Sequence, residues 1–116
     1  MRLADVRRFA LSLPEVTEAP HHEATSFRVR GKIFVTAPPP GEHVHIFVDE
    51  TAREQALALH PEFVEKLFLG GRVWGVRVCL GAATPAVVKS LIRSAWSNKA
   101  PRALVAPPAE AGKPGS

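Results

Sequence analysis

Thr25-Ser26-Phe27-Arg28-Val29-Arg30-Gly31-Lys32-Ile33-Phe34-Val35-Thr36 reads as two strands folded back on each other. Apolar and polar side chains alternate through Thr25–Val29, as they do in a strand buried on one face, and a second strand runs from Lys32 to Thr36. Between them Arg30-Gly31 supplies a two-residue hairpin loop, with glycine free to take the positive φ that such a loop demands. This loop pairs Val29 with Lys32 and sets Phe27 opposite Phe34 as an aromatic cross-strand pair. Phe27 and Val29 then face a core, and Arg28 and Arg30 emerge on the opposite face.

Working outward, Leu3, Val6, Phe9, Ala10 and Leu13 recur at helical spacing, and Pro14 stops the helix they predict. Glu15 to Ala24 is polar and reads as an irregular connection. Beyond the hairpin, Pro38-Pro39-Pro40-Gly41 forbids sheet and reads as a loop. His43 to Val48 alternates again, with Val44, Ile46 and Val48 on one face and His43, His45 and Phe47 on the other. Asp49-Glu50-Thr51 offers N-cap chemistry for a helix from about Thr51 to Leu59, and Pro61 opens a shorter helix reaching Phe68, which Gly70-Gly71 end. Val73 to Leu80 is a strand whose apolar face holds Trp74, Val76, Val78 and Leu80, with Gly75, Arg77 and Cys79 opposite. Thr84-Pro85 caps and starts a last helix to about Asn98, buried along Val88, Leu91, Ile92 and Ala95. Central strands, hairpin connections and flanking helices predict an α+β fold, an antiparallel sheet with helices packed on one face. Residues 1–101 form its single domain, and the Pro-, Ala- and Gly-rich stretch 102–116 reads as a flexible tail.

A chain of 116 residues, 46% hydrophobic and 22% charged, has one domain's length and a real core. The single Cys79 excludes an internal disulfide and a paired-cysteine zinc site. It lies in an alternating strand without a nucleophile's signature, as a small half-buried side chain does. Charge interrupts the first residues throughout, so neither a signal peptide nor a membrane span is read there, and the expected location is cytoplasmic. His43 and His45 project from one strand face with His21-His22 nearby, but no carboxylate or thiolate stands at ligand spacing, so no metal and no cofactor are expected. The glycines form no phosphate loop, and Glu15, Glu18 and Glu23 suggest no acid–base pair.

Charge is the informative feature. Met1 to Glu65 carries seven basic and ten acidic residues, whereas Lys66 to Ser116 carries eight basic and one acidic. A concentrated positive field attracts polyanions, nucleic acid first. Arg28, Arg30 and Arg77 alternate with core-facing residues and should share the open sheet face with His43, His45 and Phe47. Lys89 and Arg93 form a stripe on the last helix with Trp96 beyond them, although cations there also suit the helix dipole and Trp96 is better read as packed. Phe47 or Trp96 would offer a stacking surface to a single strand.

Several stretches together resemble the MmcQ/YjbR-like family of small bacterial proteins. They are His22 with Thr25–Phe34, His43-Val44-His45-Ile46-Phe47-Val48-Asp49, Gly70-Gly71-Arg72-Val73-Trp74-Gly75-Val76-Arg77-Val78, and Ala95-Trp96 with Lys99-Ala100-Pro101. The resemblance spans about Leu3 to Arg102 and implies a CyaY-like (frataxin-like) α+β fold and DNA binding through a double-wing arrangement, with no catalytic residues. Iron handling, which a frataxin-like fold would suggest, is disfavoured because the first helix carries Arg2, Arg7 and Arg8 against Asp5 alone. Positions matching the family's motifs that would face nucleic acid are Arg28, Arg30, Lys32, Arg72 and Arg77; the last helix adds Lys89, Arg93 and Lys99. The expected function is therefore that of a non-enzymatic, monomeric DNA-binding protein contacting phosphates. The alternative is a protein- or small-anion-binding module using the same face.

Overall fold

Proline, glycine and apolar spacing divide the chain into ten elements in the computed structural model, which describes residues 1–105. They are α1 (Leu3–Ser12), β1 (Val16–His21), β2 (Ala24–Val29), β3 (Lys32–Ala37), β4 (His43–Ile46), α2 (Glu50–Leu59), β5 (Val64–Leu69), β6 (Arg72–Cys79), α3 (Pro85–Lys99) and α4 (Arg102–Val105). The strands form one sheet in the order β1-β2-β3-β4-β6-β5, antiparallel throughout. One face is covered by α3 against β3 and β4, α1 against β1 and α3, and α2 against β5 and β6.

The α+β architecture is the expected one, and its core follows the apolar pattern. Phe27, Val29, Val44, Ile46, Val76 and Val78 are fully buried on the sheet, against Val88 and Ile92 of α3 and Val6 and Ala10 of α1. Burial of each large apolar side chain contributes about 1.5–3 kcal/mol, whereas an exposed ion pair contributes about 0–1 kcal/mol. The core therefore holds the fold, and the surface ion pairs adjust it. Asp49 caps α2 by accepting from the Ala52 amide. Thr84 occupies the cap position of α3, but its hydroxyl accepts no capping bond, so the start of that helix rests on Pro85.

Several expectations are corrected. Glu15–Ala24 contains β1, a sheet-edge strand whose mostly exposed side chains carry no alternation and whose edge position tolerates Pro20. The segment from Pro61 is no helix: a turn at Pro61–Phe63 leads into β5, and Gly70-Gly71 forms a hairpin loop. Phe63, Val64, Leu67 and Phe68 have helical spacing, and pairing with β6 overrides it. Of the stretch read as a tail, Arg102–Val105 forms a helical turn; residues 106–116 lie outside the described ones. The Val29–Lys32 pairing holds, but Phe27 opposes Val35, because Phe34 is the extra residue of a β-bulge.

A second bulge reshapes the other hairpin. Leu67 pairs with Gly75 and Phe68 with Val73, so Trp74 is the extra residue, and it is 44% exposed where the alternation predicts burial. Only glycine at position 75 allows this local path. With φ at +151°, a Cβ on it would lie 2.2 Å from the Ile46 carbonyl oxygen and 2.9 Å from the Phe47 Cα. Gly75→Ala should lower unfolding free energy by about 3 kcal/mol in urea denaturation. Gly81, with open space around its Cα, should tolerate alanine within about 1 kcal/mol; equal losses at the two sites would contradict this account.

Candidate functional site

Short β4 sets the geometry of one end of the molecule. Its last residue, Ile46, pairs with Val35 on one side and Val76 on the other. Phe34 still accepts from the Phe47 amide and Gly75 lies against Ile46–Val48, but Lys32–Ile33 and Arg72–Trp74 run on past β4, so the β2–β3 and β5–β6 hairpins project as two wings. Both wings close through residues of positive φ, +50° and +83° at Arg30-Gly31 and +60° and +79° at Gly70-Gly71. These values suit the tight loop that follows the natural twist of paired strands.

The open face of the sheet is concave. His21 on β1 and Leu69 on β5 belong to strands at opposite margins, yet both line one cleft of about 550 Å³, together with Ile33, Phe47, Trp74 and Lys99. The margins therefore curl toward each other over β3 and β4, as bulged and strongly twisted strands do. A second hollow of about 400 Å³ shares His21, Thr36, Phe47 and Leu69 with the first and extends it toward His22 and His45. Trp74 is held in place: its indole N–H donates to the Leu69 carbonyl at 3.0 Å, and the Arg72 guanidinium lies 4.9 Å from the ring centre. Trp96, by contrast, is buried and donates to the Pro14 carbonyl.

The cations named from the sequence divide into groups. Lys32 and Arg72 stand on the two wings, and Lys99 lines the cleft at the end of α3; among the described residues none of the three forms an ion pair. Arg30, also at a wing tip, is engaged by Glu15 through two hydrogen bonds of 2.6 and 3.0 Å. Arg77 is paired with Glu65 across β5 and β6, and Arg28 lies along the sheet, donating to the Ser26 hydroxyl and the Pro20 carbonyl. Lys89 and Arg93 lie over the Phe9 ring, at 5.8 and 5.3 Å, in the helical layer away from the cleft. The structure thus does not join α3's central cations to those of the sheet. Sequence reasoning missed Trp74, whose signal was the following glycine, a residue that marks bulges inside strand patterns.

The YjbR family model matches residues 11–98, a span holding both wings and all of the cleft but Lys99. The chain belongs to the YjbR family. Its fold is also similar to the crystal structure of the Deinococcus radiodurans protein DR2400, which carries a DUF419 domain, with a TM-score of 0.69 and 20% identity over 84% of this chain and 77% of that one. No functionally curated protein matches the chain. Among the described residues no helix of this YjbR protein is long and apolar enough to cross a membrane, and no three His, Cys, Asp or Glu side chains are grouped to hold a metal ion.

Titration of the site is shaped by burial and pairing. Burial holds the half-buried His45 imidazole below the usual histidine value, and Arg77 and His43 add to the effect. Hydrogen bonds from Arg30 lower Glu15, and those from Arg7, with Thr25 assisting, lower Glu18. All three groups bind protons more weakly folded than unfolded, so each contributes stability above its ordinary value and loses it as pH falls. Thermal stability should start to decline below the ordinary histidine value of 6.5 and fall more steeply below the glutamate value of 4.5. Glu18→Gln should cost about 1 kcal/mol or less at neutral pH and flatten the acid limb of a melting-temperature profile.

Proposed function

We propose that the protein binds DNA at the winged end of its sheet, mainly through phosphates. The observation that carries this reading is that Lys32, Arg72 and Lys99, on three separate elements, form no ion pair among the described residues, and that Lys99 lines the cleft while Arg72 lies over its Trp74. Lys32 stands on the β2–β3 wing opposite Val29, Arg72 lies over the lining residue Trp74, and Lys99 lines the cleft itself. A nucleic-acid backbone laid across the two wings would meet a cation on each and a third between them. Each such contact releases condensed counterions, so affinity falls steeply with salt.

Contacts of this type position a protein without reading sequence. Among the described residues no helix extends from the wings as a major-groove reader would, so the expected specificity is low. The protein acts as a binding module, without a catalytic step. Family membership and the excess of basic residues after Glu65 support the same reading.

Fluorescence anisotropy of labelled DNA, titrated from low to physiological salt, tests it. Lys32→Ala, Arg72→Ala and Lys99→Ala should each weaken binding and reduce the log–log salt slope by about one. Lys89→Ala and Arg93→Ala, in the helical layer, should leave the slope unchanged. Absence of binding at low salt, or a slope carried by Lys89 and Arg93, would overturn the reading in favour of a protein or small-anion partner.

A further inference from the structure

We infer that the cleft between the wings takes an unpaired nucleobase of a single strand, stacked on Trp74, so that the protein prefers single-stranded over duplex DNA. This rests on the phosphate-binding reading above and adds to it the chemical group the cleft recognises.

The first argument is the form of the cavity. At about 550 Å³ it falls within the range of small-ligand sites, roughly 300–1,000 Å³, and mixes aromatic and aliphatic walls with a few polar groups, as such sites do. A paired base inside a duplex cannot enter a cleft walled by two hairpins. An unpaired one can.

The second argument is the construction around Trp74. A large aromatic side chain 44% exposed to solvent is costly to hold out of a core, and here the backbone is shaped to do so, through a bulge that Gly75 permits. The Leu69 carbonyl and the Arg72 guanidinium fix the indole before any ligand arrives. Arg72 lies over the ring without lining the cleft, which leaves the remaining indole surface to the cavity. Preorganised aromatic surface beside a cationic groove is the general design of single-strand binding, because every base has a face to stack.

The polar groups suit a nucleotide. Lys99 lines the cleft, Arg72 lies over its Trp74 and Lys32 stands on the other wing, cations available to the phosphates of a strand whose base is inserted. Asp49 and Asn98 also line it. Asp49 uses Oδ1 to accept from the Ala52 amide, so its other oxygen remains to accept from an exocyclic amino group of adenine or cytosine.

The test compares full-length protein binding, at one fixed salt concentration, to a deoxyadenosine oligomer, an abasic oligomer with the same number of phosphates, the corresponding duplex, and deoxyadenosine monophosphate. The base-bearing strand should bind about tenfold or more tightly than either the abasic strand or the duplex. Trp74→Ala should lower it to the abasic level, and Trp74→Phe, which keeps a stacking ring, should retain most of the affinity. Trp74 lies on the surface, and matched melting curves for the two variants establish that they fold. Equal, salt-dependent binding of base-bearing and abasic strands would overturn this inference and leave the phosphate reading standing. Binding of no strand would remove both. Saturation by the mononucleotide as tightly as by the strand would overturn the choice of a strand in favour of a free nucleotide.

Discussion

A single close approach shapes the functional end of this molecule: the backbone of β6 at Gly75 lies against the last turn of β4, with no room for even one carbon between them. Because the strands touch there, β6 must shed a residue from its pairing with β5, and that residue is Trp74. The β2–β3 hairpin makes a matching departure at Phe34. Two bulges on either side of a four-residue central strand bend both hairpins and curl the sheet. The cleft, the wings and the exposed indole all follow from that arrangement.

The bulges also explain what could and could not be read from the chain. Strict alternation located β4, the β2–β3 hairpin and the buried stripe of α3, because in each the pattern and the burial coincide. It failed at Phe34 and Trp74, where an inserted residue shifts the phase; nothing local announces the shift at Phe34, and only the glycine that follows marks it at Trp74. It failed again at the two edge strands, at β1 because its side chains are mostly exposed and at β5 because buried Val64 and Leu67 stand three apart, as on a helix. The packed state of Trp96 was legible, since it continues the buried stripe of α3 by one residue. Which tryptophan meets solvent was not, because that depends on a contact between β4 and β6 far apart in sequence.

Charge was legible in amount but not in placement. Counting residues assigns the excess of cations to the second half of the chain, yet the structure engages some of them locally, Arg77 by Glu65 and Arg93 and Lys89 by the Phe9 ring, as it engages Arg30 of the first half by Glu15. A guanidinium already matched by a carboxylate attracts a phosphate less, because the carboxylate must be displaced or left as a repelling neighbour. On the proposed reading the cations that count are Lys32, Arg72 and Lys99, which form no ion pair among the described residues. Sequence gives the sum of a field, and folding decides where it is cancelled.

The bond between the Trp96 indole of α3 and the carbonyl of Pro14, just past the end of α1, joins residues 82 positions apart, and α1 and α3 pack together from the two extremes of the folded chain. On a ribosome, α1 would emerge early, and the part of its cover that α3 supplies would be missing until α3 has been synthesised. The central hairpins can form beforehand, but closure of the helical layer must await nearly the last residue of the domain. Synthesis order and assembly order are thus opposed at this layer, which makes the nascent N-terminal helix the segment most dependent on protection before the chain is released.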